Sequence, residues 1–123
     1  MPKTILCVDD SFSMRTIIKT VLTNSQYNLL EAENGVHALD IVKSNPGIDM
    51  FIVDVNMPKM DGITLVKELR KINEYKTTPI IILTTEAKND KKAEGQAAGA
   101  TGWIVKPFDS DKLTMVVNNL LET

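Results

Sequence analysis

A small set of side chains in this chain could do one piece of chemistry together. They are the adjacent carboxylates of Asp9 and Asp10, the carboxylate of Asp54, the hydroxyls of Thr84 and Thr85, and the ammonium of Lys106. Gathered into one pocket, three carboxylates repel one another by about 4 kcal/mol per pair at 4 Å when the effective dielectric is near 20. A hard divalent cation relieves that repulsion, and carboxylates with carbonyls and waters suit Mg2+. A threonine hydroxyl and a lysine ammonium can both address phosphoryl oxygens, so the set suits phosphoryl transfer with a carboxylate as nucleophile. Taken singly, each residue has a plainer use. Asp9-Asp10 can cap a helix, Asp54 can close a turn, Thr84 can fill a strand and Lys106 can sit in solvent. The case for a site rests on whether the chain brings these positions together.

Each of them stands at the end of an apolar run. Met50-Phe51-Ile52-Val53 leads into Asp54, and a turn punctuated by Pro58 and Gly62 follows. An uninterrupted run of this kind reads as a strand covered on both faces, as in a parallel sheet. Thr4-Ile5-Leu6-Cys7-Val8 leads in the same way into Asp9-Asp10. Pro79-Ile80-Ile81-Ile82-Leu83-Thr84-Thr85 is the most β-branched stretch, and Gly102-Trp103-Ile104-Val105-Lys106 precedes Pro107. Asn28-Leu29-Leu30-Glu31-Ala32 is a more polar run, as expected near a sheet edge.

Helical patterns fill the gaps. Ser11 or Ser13 caps a first helix with Met14, Ile17, Ile18, Val21 and Leu22 on its core stripe. Val36, Leu39 and Val42 mark a second helix, which follows Asn34-Gly35 and stops at Asn45-Pro46-Gly47. Asp61 caps a third that faces Val66, Leu69 and Ile72 inward. Between Asn89 and Ala98 the apolar residues are almost all alanine, with Gly95 in the middle. Glycine costs about 1 kcal/mol inside a helix, so this helix is predicted to be the least firmly anchored. A last helix begins near Asp109 or Asp111, carries Leu113, Val116, Val117, Leu120 and Leu121, and runs to Thr123. Five strand-helix repeats predict an α/β fold, a doubly wound five-stranded parallel sheet with right-handed crossovers and helices on both faces. The carboxyl ends of its strands then share one edge, where such folds bind ligands.

Composition narrows the function. The length suits one domain over residues 1–123, and an apolar share of 43% with 24% charged residues is that of a globular protein. A net charge of -2 offers nothing for nucleic acid or an anionic membrane. The single cysteine, Cys7, lies in an apolar run and cannot form an internal disulfide, which suits a reduced cytoplasmic protein. Neither a signal-peptide pattern nor a run of membrane-spanning length is expected here.

The combination of Val8-Asp9-Asp10-Ser11, the run from Asp54 to Gly62, Thr84-Thr85-Glu86-Ala87 and Val105-Lys106-Pro107-Phe108 resembles the receiver domain of two-component response regulators, above all the single-domain chemotaxis type. The resemblance spans the whole chain. It implies a flavodoxin-like fold with strand order 2-1-3-4-5 and phosphorylation of Asp54 by a histidine kinase. It also implies Mg2+ held by the Asp10 and Asp54 carboxylates, the Asn56 carbonyl and, through water, Asp9. Lys106 would pair with the phosphoryl group, Thr84 would swing toward it, and the Lys106-Pro107 bond would be cis.

The same resemblance implies a signalling protein that is not a conventional enzyme, although it slowly loses its own phosphoryl group. It would act as a stand-alone monomer through a downstream protein such as the flagellar motor switch, with a phosphatase as a further partner. Its docking surface would comprise the fourth helix, fifth strand and fifth helix, including Lys88, Lys91, Lys92 and Trp103. Two positions depart from the family pattern. Trp103 stands where relatives carry Tyr or Phe, and Thr85 where many carry Ala or Gly.

Other functions fit less well. A haloacid dehalogenase-like hydrolase wants an acid two residues after its nucleophile, where this chain has Asn56. A flavin carrier needs a neutral phosphate cradle after the first strand, and Asp9-Asp10 would repel a phosphate. A receiver in twitching motility, a phosphate sink or another non-flagellar relay would read the same in sequence.

Overall fold

The computed structural model describes residues 2–55, 57, 60–85 and 89–121, with backbone alone for 89–92. The chain runs β1 (Thr4–Val8), α1 (Phe12–Asn24), β2 (Asn28–Ala32), α2 (Gly35–Ser44), β3 (Met50–Asp54), α3 (Gly62–Arg70), a 3-10 turn (Asn73–Tyr75), β4 (Ile80–Thr84), α4 (Asn89–Ala98), β5 (Gly102–Val105) and α5 (Ser110–Leu121). All five strands are parallel, in the order β2-β1-β3-β4-β5. Among the described residues, no helix is long and apolar enough to cross a membrane.

Two-sided burial explains the unbroken apolar runs. In β1, β3 and β4 alternate residues point to opposite faces. Leu6, Val8, Phe51, Val53, Ile80 and Ile82 join one core layer with Ala38, Val42, Leu65, Val66 and Leu69 of α2 and α3. Ile5, Cys7, Met50, Ile52, Ile81 and Leu83 join the other, with Ile18 and Leu22 of α1 and Leu113, Val117 and Leu121 of α5. Burial pushes the Cys7 thiol well above its usual range, and the charges of Asp9 and Glu31 add to that, so it is an inert core group.

Side-chain caps set the helix starts. Ser11, not Ser13, accepts the Met14 N–H, Asn34 accepts that of His37, and Asp61 that of Thr64. Asp109 Oδ1 accepts the Lys112 N–H at 2.7 Å ahead of α5. Several expectations need correction. Ile17 and Val36 are 51% and 48% exposed. In α2 the small residues Gly35 and Ala38 face inward, and a Cβ on Gly35 would lie 2.7 Å from Met60 Cβ. Successive helical residues turn by about 100°, so that choice carries Val36 outward. Ile72 lies beyond α3, which ends at Arg70, and instead precedes the 3-10 turn. That turn delivers Tyr75 into the core, edge-on to Phe51 with ring centroids 5.0 Å apart.

Gly95 also has a different meaning from the one its helix propensity suggested. It is buried, and a Cβ there would lie 2.5 Å from Ile82 Cδ1, so its lack of a side chain lets α4 sit close on β4. At the far end of α4, Gly99 adopts φ of 111° and its carbonyl accepts from Arg70 Nε at 2.9 Å. Arg70 Nη1 also donates to the carbonyls of Tyr75 and Thr78, at 2.8 and 2.7 Å. One guanidinium thus ties the loop that leads into β4 to the loop that leads into β5, at the amino edge of the sheet. Arg70→Ala should lower the unfolding free energy by about 2–3 kcal/mol, because charge-assisted bonds to several carbonyls are lost together. Urea denaturation of the two chains measures the difference, and a loss below 1 kcal/mol would remove Arg70 from this role.

Candidate active site

The carboxyl edge of the sheet gathers the residues singled out by their chemistry. β1 ends at Val8 and hands on to Asp9, whose N–H still donates to the Ala32 carbonyl of β2 at 3.1 Å. Asp9 is buried and Asp10, one residue on, is exposed. Asp54 is the last residue of β3 and is buried. One carboxylate oxygen from each of Asp9, Asp10 and Asp54 can be chosen so that all lie within 4.8 Å of one another.

Lys106 answers this negative charge. Its Nζ lies 3.1 Å from Asp54 Oδ1 and 3.4 Å from Asp9 Oδ2, so it bridges the two buried carboxylates. Its backbone is fixed as well, because the Lys106 N–H donates to the Thr84 carbonyl at 2.7 Å, immediately past β5. Burial pulls the ammonium toward neutrality, but the charges of Asp9 and Asp54 outweigh it and hold the pKa above the usual lysine value. Lys106 therefore stays cationic at neutral pH. The Lys106-Pro107 peptide is cis.

Thr84 ends β4, fully buried, opposite Val105 in the register. Thr85, expected within that strand, lies beyond it and is exposed. Trp103 sits in β5, opposite Ile82, partly buried against the α2–α3 core layer. It also helps to line a cavity of about 230 Å3 with Pro107, Phe108 and Lys112. Asn56 and Lys88 lie outside the described residues. So do the side chains of Lys91 and Lys92, whose backbones belong to α4.

The donor set fits a hard cation. Every candidate ligand among the described residues is a carboxylate oxygen, and two of the three carboxylates are already withdrawn from water. The Asp9 carboxylate is also engaged on both oxygens, by the Ser11 N–H at 2.9 Å and by Lys106. Asp10, exposed at the mouth of the cluster, is the most accessible of the three to an incoming cation.

Two contributors were missed in the sequence. Gly62 starts α3, and its N–H donates to the Val55 carbonyl at 3.0 Å. A Cβ there would collide with the Asp54 carbonyl oxygen and lie 2.9 Å from Val55 Cα. The glycine directly after the capping Asp61 was the available signal, but its reason lies in a contact eight residues back. The second is Arg15, hidden as a polar residue beside an amphipathic stripe. Its Nη1 donates to the Asp9 carbonyl at 2.6 Å.

Three comparisons with known proteins bear on the site. The response regulator receiver domain family matches residues 5–118. A chemotaxis protein CheY homolog of Campylobacter jejuni is 41% identical over 120 residues, which are 97% of this chain and 92% of that one. The sensor histidine kinase CheAY of Helicobacter pylori is 38% identical over 119 residues, and this chain spans 15% of its length. Among solved structures, the chemotaxis protein CheY4 of Vibrio cholerae superposes with a TM-score of 0.94 at 41% identity, covering 98% of this chain and 100% of that one.

The close approach at Gly62 has a measurable consequence. Gly62→Ala should cost about 1–3 kcal/mol, the usual range for overpacking a tight contact, and should displace the Asp54 backbone. Amide chemical shifts of Asp54 and Val55 that match the parent chain would show that the contact is slack.

Proposed function

The chain belongs to the response regulator receiver family, and on that premise we propose that it is a phosphorylation-activated signalling protein with Asp54 as phosphoacceptor. The family is one of two-component signalling domains rather than conventional enzymes. The observation that carries the proposal is the trio of carboxylates within 4.8 Å of one another, with Lys106 bridging Asp9 and Asp54. On this reading residues 1–123 act as one receiver domain in the cytoplasm, as a monomer.

A carboxylate oxygen of Asp54 attacks the phosphorus of a phosphohistidine on a histidine kinase. As the new O–P bond forms, the P–N bond breaks and its electron pair returns to the imidazole. Asp9, Asp10, Asp54 and the Asn56 carbonyl would hold Mg2+, which supplies positive charge to the phosphoryl oxygens when bound. Lys106 turns from bridging two carboxylates to pairing with the new phosphoryl oxygens, already fully charged for that role. The Thr84 hydroxyl donates to another of them. Water later attacks the phosphorus, releasing inorganic phosphate and restoring the carboxylate of Asp54.

The signal leaves through α4, β5 and α5. Thr84 and Trp103 lie on adjacent strands, so a shift of Thr84 toward the phosphoryl group alters the packing beside the indole. By the family resemblance, Lys88, Lys91 and Lys92 would contribute to the same output face. The downstream partner is the flagellar motor switch, a reading supported by the chemotaxis proteins that this chain resembles. A phosphatase would shorten the signal.

Incubation with acetyl phosphate tests the core of this reading. Intact mass should rise by one phosphoryl group only when Mg2+ is present, and Asp54→Asn should stay unmodified. In the same samples the emission of Trp103, the chain's single tryptophan, should change only when the mass does. No gain in mass under any condition overturns the phosphoacceptor assignment.

Thr85 offers a finer test. Its exposed side chain stands beside the buried Thr84 and restricts the approach of water or a phosphatase to the phosphoryl group. Thr85→Ala should therefore speed loss of phosphate by a few-fold, read from the decay of the phosphorylated mass. An unchanged decay excludes that role.

A further inference from the structure

Arg15 is a residue of α1 with its guanidinium folded back over the start of its own helix. That direction is the natural one for a long helical side chain. Three contacts hold it there. Nη1 donates to the Asp9 carbonyl at 2.6 Å, Nε lies 3.3 Å from Glu31 Oε1 on the neighbouring strand, and Cζ lies 5.8 Å from the centroid of the Phe12 ring. The side chain is only 13% exposed. Phe12, at 72% exposed, is the most open of the large apolar residues among those described, and covering Arg15 gives it a purpose that the core does not.

We propose that Arg15 is a positioning residue of the acidic pocket, with Glu31 as its anchor. The inference rests on the reading of Asp9, Asp10 and Asp54 as the Mg2+ and phosphoryl site. The Asp9-Asp10 peptide follows directly on β1, and the orientation of its carbonyl sets where both carboxylates point. A charge-assisted bond to that carbonyl fixes the peptide from the side away from Asp54, while the Ser11 N–H and Lys106 fix the Asp9 carboxylate.

Glu31 matters for charge as well as geometry. Three carboxylates against the one ammonium of Lys106 leave two negative charges, which match a divalent cation. A second free cation beside Asp9 would weaken that match. Glu31, which Arg15 shares with the half-exposed Lys19 at 3.5 Å, offsets part of the charge of Arg15 and leaves its geometry in place. The edge strand β2 thus serves the site without placing a residue in it. Partners one step removed from a metal's ligands typically govern its affinity by 10–100-fold.

Titration calorimetry with Mg2+ alone, on the full chain, distinguishes the possibilities. Arg15→Ala should weaken binding about tenfold, with Arg15→Lys falling between it and the parent because lysine lacks the separate Nη1 and Nε donors that meet the Asp9 carbonyl and Glu31. Glu31→Gln should also weaken binding, by leaving the guanidinium charge unopposed. Thermal melting without metal reports folding separately. Unchanged Mg2+ affinity in Arg15→Ala overturns the inference, as does tighter binding, which loss of a nearby positive charge alone would give. Should Arg15→Ala not fold, parent-like affinity in Arg15→Lys overturns it equally. A parent chain that takes up no Mg2+ overturns the reading of the pocket and this inference with it, so the two failures are told apart.

Discussion

Everything at the carboxyl edge of this sheet answers one electrostatic problem, the confinement of three carboxylates in a space they would leave if free to do so. Two of them, on Asp9 and Asp54, are buried. Buried charge is costly unless it is paired and hydrogen-bonded. The structure meets that cost with a lysine shared between the two and a backbone N–H aimed at Asp9. The arrangement is balanced rather than neutral, because one ammonium does not cancel three carboxylates. A site left with surplus negative charge under a rigid frame suits a cation.

The frame comes from the parallel sheet. Its strands are apolar on both faces, and two core layers grip them from α2 and α3 on one side and α1 and α5 on the other. A strand held in this way ends at a defined place, so the residue that follows it is placed too. Asp9, Asp54, Thr84 and Lys106 inherit their positions from runs of valine, leucine and isoleucine that do no chemistry. Where the frame must come closer than a side chain allows, it uses glycine, as at Gly62 behind Asp54.

One element is held differently. Among the described side chains of α4, only Gly95 and Ala98 are buried, and the close seat of the helix on Ile82 depends on the absence of a side chain at Gly95. Its end is secured by a hydrogen bond from Arg70 to Gly99 as well as by the burial of Ala98. An element with few buried apolar contacts lies at the low end of local stability. In a signalling domain that is where a small shift at the site can be turned into a change of surface.

The sequence alone carried the strand-helix alternation, the two-sided burial of the strands, most of the capping residues and the residues that converge on the site. These are local properties, written in periodicity, turn chemistry and the position of a charge after an apolar run. Strand order and the cis Lys106-Pro107 bond were expected only through resemblance to the receiver family. What the chain could not reveal locally was decided by contacts between distant segments. Ile17 and Val36 fit a helical stripe, but the rotation of each helix was set by how its neighbours pack. Gly62 was one glycine among several until the Asp54 carbonyl lay against it, and Tyr75 sat in an unremarked loop until Phe51 received it. Arg15 and Arg70 were polar residues on helices, with partners as far away as Glu31 and Gly99. Periodicity reports which face is apolar, whereas the hydrogen bonds that orient a site depend on which segments fold together.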